Sequence, residues 1–149
     1  MTRTTAREIA IQLGFAAAAT GELPSEILDR FFEKEHYDSL AQEDELYAQF
    51  PDDRQLAYIK DLVNLIDAHR DEIDEQIRKY AIGWRPERIS RTALAVLRCA
   101  LCEIMYMPDI PDSAAINEAV ELAKGYDDPD TVAFINGVLG GYMRGTAEG

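Results

Sequence analysis

An all-α domain is the fold class this sequence predicts, and three observations carry it. Helical spacing recurs in every apolar segment, no stretch of useful length alternates as a strand would, and 149 residues suit a single domain able to bury a proper core. About seven helices follow from this pattern.

The first helix is expected from about Thr4 to Ala19, stopping near Gly21. At about 100° per residue, Ala6, Ile9 and Leu13 share its packing face, while Arg3, Arg7 and Gly14 cluster about a quarter-turn away, with Ile11 and Phe15 beyond them. Pro24 and Ser25 open a second helix, LPSEILDRFFEK, with Ser25 as N-cap. Residues 33–53 then read as an acidic, variable and partly helical connection. Asp52 or Asp53 caps a third helix on which Ile59, Leu62, Val63 and Ile66 form one apolar face, and a fourth runs from about Asp71 to Tyr80. After the loop IGWRPER, Ser90 caps a fifth helix carrying Leu94, Leu97, Leu101 and Ile104, which should be central and largely buried. Trp84, the single tryptophan, is expected as a lid over the helical core.

The last two helices form a hairpin. Ile116, Val120 and Ala123 recur at i, i+4, i+7 and make one amphipathic stripe, with Glu118, Glu121 and Lys124 largely off it. Gly125 and the acidic-Pro turn after it divide this helix from the next. Asp130 stands before TVAF, where its carboxylate can accept backbone N–H groups and start a helix bearing Phe134, Val138 and Tyr142.

Composition narrows the class of function. No run approaches the length of a membrane span, and no uninterrupted apolar stretch follows the first charges, so a cytoplasmic protein without membrane attachment is expected. Two cysteines fit a reducing compartment. The net charge of −13 argues against phosphate binding, but the excess is local. Residues 22–53 hold eleven acidic residues against Arg30 and Lys34, a local net of −9. Two mildly basic regions remain, one with Arg3 and Arg7, the other with Arg85, Arg88, Arg91 and Arg98.

Constellations for catalysis or metal binding are weak. Cys99 and Cys102 are two residues apart but in mid-helix, away from the N-terminus that would stabilise a thiolate, so buried inert thiols are expected. Metal ligation would need His36 and His69 from distant segments, and Asp127, Asp128 and Asp130 lack the glycine and closing glutamate of a calcium loop. Gly137, Gly140, Gly141 and Gly145 follow no strand and precede no Gly-Lys-Ser/Thr, so close helix packing is their expected use. No catalytic site, cofactor site or metal site is predicted. Arg98, Glu103, Asn117 and Glu118 are expected to build a buried or half-buried ion pair between helices.

The words INEAVELAK and FINGVL, in this order with a short turn between, resemble the C-terminal signature of the NusB family of bacterial transcription antitermination factors. VLRCALCEIMYMPDIPDSAAINEAVELAK extends the likeness upstream, and AREIAIQLGF is similar to the family's first helix. The resemblance covers about residues 3–22 and 56–143 and implies two packed helical subdomains forming one RNA-binding domain over residues 1–149. It further implies a non-enzymatic antitermination factor that binds box A RNA together with the ribosomal protein NusE within the transcribing RNA polymerase complex and supports rRNA transcription; a homodimer is left open. Arg3 and Arg7 match the first and last arginines of the family's RNA-contacting run, Phe134 an RNA-contacting aromatic, and Asp130 an acidic position that influences RNA affinity. Phe15 adds an aromatic edge beside the two arginines, suited to stacking a base. Thr4 and Thr5 stand within the arginine run, and Ala133 where a lysine is common, so this copy carries fewer cations. Two alternatives follow from that depletion: an RNA-binding module in rRNA maturation, or an acidic protein-interaction scaffold without RNA binding.

Overall fold

The computed structural model describes residues 1–83, 88–126 and 128–148. The expected Trp84 lid, together with Arg85 and Asp127, lies outside the described residues. Among these residues there are eight α-helices, one 3₁₀ turn and no strands. The chain divides into two compact units, Met1–Asp67 and Ala68–Gly149.

The first unit begins with α1 (Arg3–Thr20), capped by the Thr2 hydroxyl, which accepts the Thr5 N–H at 3.1 Å. It ends at Gly21, whose φ of 72° lies in the left-handed region that glycine enters without steric cost. Pro24 is the first residue of α2 (Pro24–Phe31). Ser25 therefore lies inside the helix and is not its cap: proline's fixed φ starts the helix one residue earlier, and Leu23 occupies the cap position without a side-chain bond.

The acidic connection contains α3 (Lys34–Leu40) and a 3₁₀ turn over Glu45–Tyr47, which is why the helix count exceeds seven. An aromatic cluster holds it. Tyr37 is fully buried among Phe31, Phe32, Tyr47 and Phe50, with ring centroids 5.0–5.8 Å apart, and its hydroxyl donates to the Gln49 carbonyl at 2.7 Å. Burial, then the neighbouring Tyr47, pushes the Tyr37 phenol up to about 12. Asp52 caps α4 (Asp53–Ala68) reciprocally: its carboxylate accepts the Gln55 N–H at 2.8 Å, and the Gln55 side chain accepts the Asp52 N–H at 2.9 Å. Of the expected α4 face, Ile59, Leu62 and Val63 are buried and Ile66 partly so.

In the second unit, α5 (Arg70–Tyr80) and α6 (Arg91–Tyr106) lead into the hairpin of α7 (Asp112–Tyr126) and α8 (Pro129–Glu148). Ser90 caps α6, accepting the Ala93 N–H at 3.0 Å. As its apolar spacing requires, α6 is central, contacting α5, α7 and α8 and burying Val96, Leu97, Ala100 and Leu101. Cys99 and Cys102 are buried free thiols, and burial, then Glu103, pushes Cys102 up to about 12, far from a thiolate. Gly141 and Gly145 let α8 approach α5. A Cβ at Gly141 would lie 3.2 Å from the Tyr80 ring, and one at Gly145 would overlap the Tyr80 hydroxyl.

The expected ion pair forms with different partners. Arg98 of α6 makes two bonds to Asp74 of α5, at 2.9 and 2.8 Å, both side chains being about three-quarters buried. Glu103 is 1% exposed within α6, whereas Asn117 is exposed.

Candidate nucleic-acid interface

On α1, the quarter-turn separating Arg3 and Arg7 from the apolar stripe does not leave both in solvent. Arg3 is exposed; Arg7 is 5% exposed. Lying off the apolar stripe therefore does not make Arg7 a surface cation: Tyr58 of α4 presents its ring to both arginines, 4.6 Å from the Arg3 guanidinium carbon and 5.8 Å from that of Arg7. Phe15, three turns along, is half-buried. Glu8 faces an acidic neighbour. Burial, then the charge of Asp44 beside the 3₁₀ turn, raises its carboxyl above the usual range.

On α8, the roles of two acids differ from expectation. Asp128, not Asp130, is the cap: its carboxylate accepts the Thr131 N–H at 2.8 Å and its carbonyl accepts the Val132 N–H at 3.1 Å. Proline again decides the register, since Pro129 is preorganised for the first helical position and pushes Asp130 into the first turn, exposed. Bonds from the Thr131 N–H and then the Thr131 side chain hold the Asp128 carboxyl below its ordinary range. Phe134 is 6% exposed and continues into a buried stripe of Ile135, Val138 and Leu139.

The signature helix is rotated from its expected stripe. Ala115, Ala119, Leu122 and Ala123 of α7 are buried, while Ile116 and Val120 are half-buried and face Val132 and Ala133 of α8 across a groove of about 850 Å³. Asn117 and Asn136 also line this groove, which is predominantly apolar. Small alanines permit close approach of α7 to α6, so the larger aliphatics turn toward the groove.

The structure thus brings Arg3, Arg7 and Tyr58 together in the first unit and places Asp130 and Phe134 one turn apart in the second. Tyr58 is the residue that sequence reasoning missed. Its position four before Leu62 marks the edge of the α4 stripe, but nothing local links it to arginines some fifty residues earlier. Among the described residues, no three His, Cys, Asp or Glu side chains gather to hold a metal ion, and no helix is long and apolar enough to cross a membrane.

The family model described as the NusB family matches residues 4–144. The chain belongs to the NusB family. It is 37% identical over 144 residues to the transcription antitermination protein NusB of Clostridium novyi, covering 97% of this chain and 99% of that one. Identity to the corresponding protein of Clostridium botulinum (strain Kyoto) is 34% over 140 residues, covering 94% and 98%. Among solved structures, T. maritima NusB has a TM-score of 0.76 at 26% identity, covering 97% of this chain and 92% of that chain. A structure of the antitermination factors NusB and NusE in complex with dsRNA matches with a TM-score of 0.73 at 23% identity, covering 96% of both chains, a likeness of fold. The likeness to NusB relatives therefore extends over nearly the full length in sequence and includes the helical architecture.

Proposed function

We propose that this chain is a non-enzymatic, cytoplasmic transcription antitermination factor that binds box A RNA together with NusE in the transcribing RNA polymerase complex and so supports rRNA synthesis, residues 1–149 acting as one RNA-binding module. The observation that carries this reading is the NusB match across residues 4–144, with relatives that are themselves transcription antitermination proteins. Likeness in fold to a NusB solved with NusE and dsRNA adds support for both partners.

Within that reading, Arg3, Phe15 and Asp130 meet the RNA directly, and Arg7 and Phe134 serve RNA binding by each holding the helix that carries it. A single exposed arginine at the start of α1 gives few phosphate contacts, and the acidic segment of residues 22–53 adds long-range repulsion. The partner must then supply cations. NusE, as a ribosomal protein, is expected to be basic, so the pair turns two weak sites into one linked site.

The test is the affinity for labelled box A RNA at one fixed salt concentration, with NusE absent and then saturating. At least about tenfold tighter binding by the pair is expected, equivalent to about 1.4 kcal/mol of coupling. Equal affinities would overturn the cooperative reading. No binding in either titration would favour an acidic protein-interaction scaffold, the second reading that the buried Arg7 and the acidic segment keep in view.

A further inference from the structure

Gln55 and Tyr58 stand three residues apart on α4 and so share one face of its first turns. Both reach the start of α1. The Gln55 side-chain amide donates to the Met1 carbonyl, and the Tyr58 ring lies under the Arg3 guanidinium. Tyr58 is itself buried, which fixes the ring, whereas Arg3 is exposed on a long side chain that would otherwise sample many rotamers.

We propose that Tyr58 is a positioning residue for RNA binding, holding Arg3 over its ring so that the guanidinium meets a backbone phosphate with less ordering left to pay for; this rests on reading the start of α1 as a phosphate-contacting surface. The ring attracts the charge of the guanidinium and consumes none of its N–H donors, so those donors remain for phosphate oxygens. Planar geometry makes arginine suited to doing both at once, stacked on one side and hydrogen-bonded at its edge. Arg3 is the arginine that this device serves. Arg7, whose guanidinium carbon lies 5.8 Å from the centre of the same ring, is buried and anchors the arrangement.

The first measurement needs no RNA. In the free protein, the Arg3 side-chain N–H resonance should show a ring-current shift that survives in Tyr58→Phe and disappears in Tyr58→Leu. An Arg3 resonance indifferent to Tyr58→Leu would overturn the positioning role whatever the RNA does.

The second measurement is box A RNA affinity and its salt dependence with NusE saturating, on variants shown by thermal melting to be folded. Tyr58→Leu should bind about two- to fivefold more weakly, the equivalent of one exposed cation–π contact, with an unchanged salt slope because the Arg3 charge is still present. Tyr58→Phe should restore wild-type affinity. Adding Tyr58→Leu to Arg3→Ala should cost nothing further, because the ring then has no exposed cation to hold. Should Tyr58→Leu fail to fold, Tyr58→Met takes its place. Full additivity of the two substitutions, or wild-type affinity in Tyr58→Leu, would refute the inference. Absence of RNA binding by the wild-type pair would instead remove the functional reading on which it rests.

Discussion

The start of α1 and the start of α8 each carry two residues four apart that are proposed here to serve RNA binding: Arg3 and Arg7 on one, Asp130 and Phe134 on the other. In both helices the first residue is exposed and the second is buried. A step of four residues rises about 6 Å along the axis and turns about 40°, enough to carry a side chain from the open end of a helix to where neighbouring elements cover it. The electrical character differs. The first turn of α1 has no acidic residue, so its N-terminal dipole and Arg3 both favour an anion. The first turn of α8 is already met by Asp128 and Asp130, so its N-terminus is satisfied from within. Two helix starts that look alike as motifs are therefore unlike as surfaces, one without acidic charge in its first turn and the other self-neutralised.

The largest effect that bears on this comparison should come from Phe134→Ala. Removing a buried aromatic is expected to cost about 3–5 kcal/mol of stability, read from urea unfolding, and any RNA defect should follow the loss of fold. An RNA defect with unchanged unfolding would show that Phe134 meets the RNA directly. Arg7→Ala should come next, on the order of 2–3 kcal/mol, because its buried stem and charge are both removed from among packed neighbours. Stability within about 0.5 kcal/mol of wild type would return Arg7 to the surface.

Arg3→Ala should leave unfolding nearly unchanged while reducing the slope of log K against log salt by about 0.7, the loss of one single-strand phosphate contact. An unaltered slope would mean that Arg3 touches no phosphate.

The smallest effects are opposite in sign on the two helices. The Glu8 carboxyl is raised by burial and by Asp44, so its ionisation works against the fold as pH rises through its folded value. Glu8→Gln should therefore raise the melting temperature at pH 7, with the gain vanishing as pH falls below the ordinary value of 4.5. The Asp128 carboxyl is lowered by its cap bonds, so its contribution is present above the ordinary value of 3.8 and is lost as pH falls through the folded value. Asp128→Ala should accordingly be less stable than wild type at pH 7, and the two melting curves should converge in acid. Parallel pH profiles for these two variants would contradict the contrast drawn between the helices.

Much of the fold was legible because it depends on local spacing. Apolar periodicity locates α1, α4, α5 and α6; Ser90 and Asp52 announce their helices; Gly21 announces an end. Local errors arose where proline overrode a neighbouring capping residue, at Ser25 and at Asp130. The acidic connection hid its order for another reason: Tyr37, Phe31, Phe32, Tyr47 and Phe50 keep no helical period, and only a folded chain brings the rings together.

What the sequence by itself determined is the all-α class and the membership of the NusB family carried by INEAVELAK and FINGVL, and it nominated the candidate residues at two helix starts. Tertiary structure alone decided which of those residues meet solvent. A helical wheel states an angle around one helix, but burial depends on what crosses it, and the partner of Arg3 and Arg7 is a ring contributed from α4, some fifty residues away in the chain. The same reason separates Ile116 and Val120 from the core: their stripe is written in the sequence of α7, and the side it faces is set by how closely the alanines let α6 approach.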